Sequence, residues 1–394
     1  MRAIGDDERR ARLALRQRLA PEHRGDDVAT VAGEVAGLHA TDPATVMLAA
    51  RARVRALTPA AVEHALYDER SLVRLLGMRR TMFVVPVELA AIVQASSTRA
   101  LVPVQRALLI KHLEAGGVTG DGERWLQAAM RDTVRALAAR GQAKATELSQ
   151  DVPALREKLT MAQDKPYAAT AAVGSRVLFL LAAEGRIVRG RPLGSWTSTL
   201  YRWVPMEHWL PGGLEALDTD EAAAALVRRW LRAFGPGTYA DLKWWTGWTA
   251  ALLERALARV APVEVTLDGG ATGLVLADDE APVAAPAEPW AALLPALDPA
   301  PMGWTARDWY LGLHRARLID RSGNIGPTVW WNGRIVGGWA QRADGEIALG
   351  LLEDPGADAA AAIAAGAQEL REWIGAVRVT PRFRTPLERE LCEA

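Results

Sequence analysis

The chain has 394 residues, half of them hydrophobic, with 47 basic and 47 acidic side chains and one cysteine, Cys392. That length suffices for two or three domains of about 150 residues each; zero net charge excludes a polybasic coat for nucleic acid, and one cysteine excludes a disulfide framework, a Cys-rich zinc site or an iron–sulfur cluster. The halves differ, since residues 1–210 carry 30 basic and 22 acidic side chains and residues 211–394 carry 17 and 25, so a polyanion-facing surface is expected on the front half.

The first residues turn charged at Asp6-Asp7-Glu8, where a secretory apolar region would begin, and no apolar run approaches about 18 residues. Neither export nor membrane spanning is expected, and a reducing cytoplasm is the expected compartment. Leu13, Leu15 and Leu19 among arginines predict a first amphipathic helix over 8–20, and Val28, Val31, Val35 and Leu38 predict a second over 28–40. Asp42-Pro43 and Thr58-Pro59, each an acceptor side chain before a proline, open two more helices. Arg80 to Val85 reads as a short strand stopped by Pro86.

Farther on the pattern predicts helices at Trp125–Ala139, from about Thr146, and at Ala169–Glu184, then a hairpin of Arg186–Arg191 and Thr197–Val204. Three helices and a hairpin make a winged helix. The order recurs at Ala222–Ala233, from Thr238, at Thr249–Arg259, and in a hairpin of Val263–Leu267 and Thr272–Leu276, an internal repeat of element order rather than of sequence. The Ala/Pro-rich stretch 281–289 is a connector. Beyond it, Asn332-Gly333 and Asp344-Gly345 mark turns of a β-rich region, Asp358–Ile374 an alanine-rich helix and Val377–Phe383 a further strand. The expected fold is α+β, with units at 1–120, 121–210, 211–289 and 290–394, the last a small β-barrel or α+β domain.

The six histidines lack an His-Glu-x-x-His spacing, and no phosphate loop, nucleophile elbow or dinucleotide-binding glycine pattern occurs. No metal and no cofactor are expected. Chemistry is sought instead at the helix junction His39-Ala40-Thr41-Asp42, where an imidazole that titrates near neutrality can deprotonate a water and Thr41 supplies a second acceptor. The competing reading makes His39 a core residue on the Val31–Val35 line, with Thr41 or Asp42 a helix cap. Arg79 and Arg80 at a strand start, and Lys144, Arg186, Arg189 and Arg191 around the first wing, are candidate phosphate contacts; a solvated charged hairpin is the alternative. The second wing, by contrast, is acidic. Fourteen of the fifteen tryptophans fall between residues 196 and 373, and most read as core, though Trp244, Trp245 and Trp248 on one helix could stack on bases.

Taken together, several segments resemble the winged-helix DNA glycosylases of the AlkZ and YcaQ type. They are the leading helix 10–19, Gly37-Leu38-His39-Ala40-Thr41-Asp42-Pro43, Leu72 to Pro86, Gly235-Pro236-Gly237-Thr238-Tyr239-Ala240-Asp241-Leu242, Leu293 to Asp298, and Gly323 to Trp330. The resemblance implies three tandem winged-helix units and a C-terminal β-barrel in a C-shaped clamp around duplex DNA, acting as a monomer near the nucleoid. It implies excision of alkylated bases, including bulky or crosslinked purine adducts of natural genotoxins, and hence repair and self-protection. Members carry Gln-x-Gln or Gln-x-Asp where this chain has His39-Ala40-Thr41, so these two side chains would hold the attacking water. Asp42 would stabilise the developing cation or orient His39, with capping the next helix as its alternative role, and Asp298 would shape the site, the alternative being turn chemistry at Asp298-Pro299. The alternative is a DNA-binding protein of the same architecture that has lost the glutamine motif and its chemistry.

Overall fold

Short polar side chains ahead of apolar runs start many of the helices in the computed structural model, which describes residues 1–161 and 169–393. Asp27 accepts the Thr30 N–H ahead of the helix Val28–Glu34, and Asp42 accepts that of Ala44 ahead of Pro43–Arg51. Thr58 caps Pro59–Glu63, and Thr238 with Asp241 forms a reciprocal box that opens Tyr239–Thr246. These ends are local chemistry, and each matches its expectation.

The helix expected over 28–40 stops at Glu34 instead. Ala36 and Gly37 take φ of 56° and 106°, which reverses the chain and turns Leu38–His39 into a strand. A Cβ on Gly37 would meet Val85 Cγ1 at 2.9 Å, so only glycine permits both the turn and the close approach. Leu38 pairs with Val84 and His39 with Phe83 on the strand Met82–Pro86, which pairs on its other side with Leu72–Leu76. All three strands are antiparallel, with Met82–Pro86 in the middle.

Two stretches repeat one element order. The first runs Gly122–Arg140, Ala145–Asp151, Gly174–Ala183 and the hairpin Ile187–Pro192 with Tyr201–Pro205; the second runs Thr219–Phe234, Tyr239–Thr246, Ala250–Val260 and the hairpin Val263–Leu267 with Thr272–Val275. The expected helix start at Ala169 is corrected, because Ala169–Ala172 is a strand paired with Lys158–Met161. The acidic second hairpin has a specific use. Strand Arg2–Ile4 adds to it in parallel, and Asp279, just beyond, accepts from Arg12 and Arg16 of the helix Asp6–Arg16. Its charge thus docks the N-terminal helix.

The C-terminal region contains an open sheet rather than a closed barrel. Ala291–Leu294, Thr328–Trp331, Arg334–Gln341 and Ile347–Leu351 pair antiparallel in chain order, and the first and last do not meet. Asn332 and Gly333 both take positive φ in the tight turn. Helix Ala357–Ile374 packs on the two outer strands, and Pro386–Glu393 covers the third. The expected strand at Val377–Phe383 is irregular chain, held because Val379 N–H donates to Gln341 and Arg382 N–H to Asp42.

One continuous hydrophobic core joins residues from Leu13 to Val93, the second of these stretches and the C-terminal sheet, whereas Leu109 to Ile187 form a core of their own. Helix Leu101–Ala115 contributes Leu109 and Leu113 to that second core. The tryptophan-rich back half is explained by packing. Trp230, Trp330 and Trp339 are fully buried, and the indole N–H groups of Trp304, Trp330 and Trp339 donate to Phe234 O, Thr328 Oγ1 and Leu294 O. Among the described residues no helix is long and apolar enough to cross a membrane.

Candidate functional site

Strand Leu38–His39 ends by handing the chain to the helix Pro43–Arg51, so residues 39–42 sit at a strand-to-helix corner. Ala40 N–H donates to Met82 O at 2.7 Å, and Thr41 Oγ1 accepts the Met82 N–H at 3.2 Å. Thr41 lies on the wall of a cavity of about 380 Å³, together with Lys144, Arg189, Tyr201, Trp203 and Arg382. Its hydroxyl spends one lone pair on Met82. The O–H and a second lone pair remain for a bound water.

Asp42 is buried and caps the helix, accepting Ala44 N–H at 3.0 Å through one oxygen and Arg382 N–H at 2.9 Å through the other. Burial raises its pKa above the ordinary aspartate value, against the pull of those two N–H groups and of the Arg382 cation. Its neighbours Thr41, Pro43 and Arg382 all line the cavity.

His39 stands elsewhere. It is 4% exposed, its ring lies 5.1 Å from that of Phe83, and its Nδ1 is buried without a hydrogen-bond partner. Burial, with the nearby Arg79 cation, pushes its pKa down to about 3. A pKa pushed that low keeps the imidazole neutral at physiological pH and disfavours it as a proton acceptor, so its surroundings give the expected general base no support. Stability carries the same signature. Above pH 6.5 folded and unfolded His39 are both neutral; below it only the unfolded chain takes up the proton, so stability falls as the pH drops towards the folded value. Between pH 7 and 5 the wild type is expected to lose about 2 kcal/mol that His39→Gln keeps. Urea unfolding at both pH values tests this, and identical losses would mean that the ring is hydrated.

Of the six expected phosphate contacts, the structure brings Lys144 and Arg189 to the cavity. Lys144 Nζ is 3.8 Å from Glu147. Among the described residues Arg189 has no carboxylate within ion-pair distance, and it lies over the rings of Tyr201 and Trp203 at 5.6 and 5.5 Å. Arg79 is corrected: it packs on Trp244 at 4.0 Å, and burial lowers its pKa to about 10. Arg191 is also corrected, because it is held by Glu63 and Asp68 and stacks on Tyr67, tying the hairpin to the first region. Arg80 and Arg186 are exposed, and Arg186 lies 3.7 Å from Glu184. Asp298 is consumed by a fully buried pair with Arg53, at 2.6 and 2.8 Å. It holds the loop to the helix rather than shaping the cavity.

The sequence reading missed Arg74, Tyr201 and Arg382. Arg74 is buried, donates to Ala40 O at 3.1 Å and lies 4.9 Å from the Tyr201 ring. The Tyr201 hydroxyl is buried with no partner, and burial raises its pKa. A signal existed for Arg74, a lone cation inside the apolar strand Leu72–Leu76. None existed for the meeting of residues 41, 74, 189, 201 and 382.

A strand-to-helix corner carrying small polar groups, set in a cavity rich in guanidinium and aromatic groups, belongs on a protein that handles a polyanion. The fold is that of a DNA glycosylase of known structure: the Streptomyces sahachiroi DNA glycosylase AlkZ superposes with a TM-score of 0.70 at 20% identity, over 93% of this chain and 98% of that one. The family model for AlkZ-like DNA glycosylases matches residues 32–373, and the chain belongs to that family. No curated protein matches it.

Proposed function

We propose that the chain is a monofunctional DNA glycosylase that hydrolyses the N-glycosidic bond of purines alkylated at N7 or N3 in duplex DNA. The observation that carries the reading is the Thr41 hydroxyl, anchored on the cavity wall by Met82 N–H with its own proton free. Alkylation at these nitrogens makes the base cationic and hence a good leaving group, so no strong general acid is required. What remains is a water to place and an oxocarbenium-like sugar to stabilise. Thr41 places the water. The Asp42 carboxylate, made more basic by burial, opposes the sugar's charge and receives the water's proton. The C1′–N9 electron pair leaves with the base, water oxygen bonds to C1′, and the strand stays intact at an abasic site.

In this reading the two helix–helix–helix–hairpin stretches are winged helices of a clamp around DNA, and Lys144 and Arg189 contact its backbone. His39 supplies packing behind the corner rather than proton transfer. Bulky purine adducts of genotoxins fit the reading, and repair and self-protection follow from it.

The test is release of N7-methylguanine from methylated duplex DNA, scored before and after alkaline cleavage. Free base should appear, with strand breaks only after alkali. Thr41→Val should slow release about 10²-fold and Thr41→Ser much less. The departure from Gln-x-Gln at residues 39 and 41 favours a second reading, a DNA-binding protein without catalysis. Salt-sensitive duplex binding with no release from methylated or bulky-adduct DNA would establish that reading instead.

A further inference from the structure

Arg382 lines two adjoining cavities. One is the cavity beside Thr41, and the other, of about 800 Å³, is lined also by Arg321, Arg384 and Arg389. Few of these charges are neutralised. Arg384 pairs with Glu388, but among the described residues no carboxylate lies within ion-pair distance of Arg189, Arg321, Arg382 or Arg389, and Arg321, Arg382 and Arg389 are exposed. Asp320 also lines the second cavity, held by Ser322 N–H, Asn324 N–H and the Asn324 side chain, and its charge offsets one of the four guanidinium groups there. Among the described residues no carboxylate lines the wall of the first cavity; Asp42 is set back from it, between the lining residues Thr41 and Pro43.

Clustered guanidinium groups repel one another, and the burial that lowers the Arg189 pKa is joined by repulsion from Arg74 and Arg382. Such an arrangement is stable when an anion fills it. A purine alkylated at N7 or N3 is a cation and would be repelled from the cavity, whereas a phosphodiester brings one negative charge and two acceptor oxygens that match the guanidinium fork.

We propose that the two cavities form a track for the backbone of one DNA strand. Neighbouring phosphates occupy them, Arg382 stands between, and the damaged base lies outside the cavity beside Thr41. The proposal rests on the reading that the chain acts on DNA, and it adds the segment 382–389 to the DNA-binding surface. It also removes an electrostatic conflict. The unneutralised Arg189 and Arg382 beside Thr41 would oppose a developing oxocarbenium ion; a phosphate seated between them weakens that field where the sugar needs it.

The experiment is binding of an undamaged duplex by fluorescence anisotropy over a salt series, with excision assayed separately. Each phosphate contact contributes about 0.9 to the slope of log K against log salt. Arg382→Ala should lower the slope by about that much or more, Arg321→Ala with Arg389→Ala should lower it further, and Arg382→Lys should retain most of it. Arg228→Ala, on the helix Thr219–Phe234, should leave it unchanged. These side chains are at the surface, so the fold should survive, and circular dichroism checks that. Unchanged slopes in the Arg382 and Arg321/Arg389 variants, or an equal fall in Arg228→Ala, would overturn the track. So would a loss confined to excision or to lesion-bearing DNA, which would put the base in the cavity. Lowered slopes without excision by the wild type would sink the glycosylase reading and leave the track standing.

Discussion

Arg53→Met is expected to destabilise the protein by about 3–5 kcal/mol, read from the urea midpoint at neutral pH. Arg53 and Asp298 are both fully buried and bonded through both oxygens at 2.6 and 2.8 Å. Methionine keeps the volume and apolar stem but leaves the Asp298 carboxylate charged, dry and unpaired. That orphaned charge, more than the lost contact, sets the size of the effect. Asp298 also accepts Ala300 N–H at 2.9 Å, and Arg53 donates to Ala49 O, so the pair fastens the end of helix Pro43–Arg51 to the loop after Ala291–Leu294. Thr45 Oγ1, donating to Ala296 O at 2.7 Å, fastens its other end. The double variant Arg53→Met/Asp298→Asn removes both charges and retains an acceptor for Ala300, so it should recover at least half of the loss. A single-variant cost below about 1 kcal/mol, or a double variant no better than the single, would show that the carboxylate is already hydrated or neutralised elsewhere.

Asp298 shows how far a sequence can be read here. Its position among resembling segments marked it as important, but the partner that explains it lies 245 residues away, and no local pattern announces such a partner. Features decided within four residues were legible: the caps at Asp42, Thr58 and Thr238, the proline that ends Met82–Pro86, and the Asn332-Gly333 turn. Features decided by pairing were not. The valine spacing from Val28 continues through Val35 and Leu38 as if helical, and it is broken by the turn at Ala36-Gly37 together with the strand Met82–Pro86, which recruits Leu38–His39. Alternating apolar residues in the C-terminal sheet look alike whether its edges meet or stay open. The fold class was within reach of the sequence, whereas sheet closure was not.

The candidate site divides the same way. Thr41 and Asp42 stood out in the sequence because a polar pair before a proline is a local anomaly, and Lys144 and Arg189 because they decorate a hairpin. Arg79 and Arg191 belong to the same visible class, exposed-looking cations near a turn. Burial against Trp244 in one case and two carboxylates in the other give them structural work. Charge in a sequence does not show whether it has been neutralised. The converse error hid Arg382, which has no carboxylate within ion-pair distance among the described residues although it sits in an unremarkable C-terminal run.

Asp42→Asn should slow base release by about 10³-fold while costing about 1–3 kcal/mol of stability, the cost of leaving Arg382 N–H without its acceptor. Asparagine and aspartate are comparable helix caps, so Ala44 N–H keeps its acceptor, but the amide NH2 then faces Arg382 N–H and that hydrogen bond is lost; what disappears from the chemistry is the negative charge beside the developing cation and the acceptor for the water's proton. Because burial holds the Asp42 pKa above the ordinary aspartate value, release by the wild type should fall as the pH drops through that raised pKa and the carboxyl becomes protonated. The asparagine variant should show no such limb. Retention of activity within tenfold, or an acid limb that survives the substitution, would remove Asp42 from the chemistry and leave it as a cap. Comparison with Arg382→Ala separates the two roles of this corner. The Arg382 backbone N–H still holds Asp42 in that variant, so its loss should appear in DNA affinity and KM, whereas the loss in Asp42→Asn should appear in kcat.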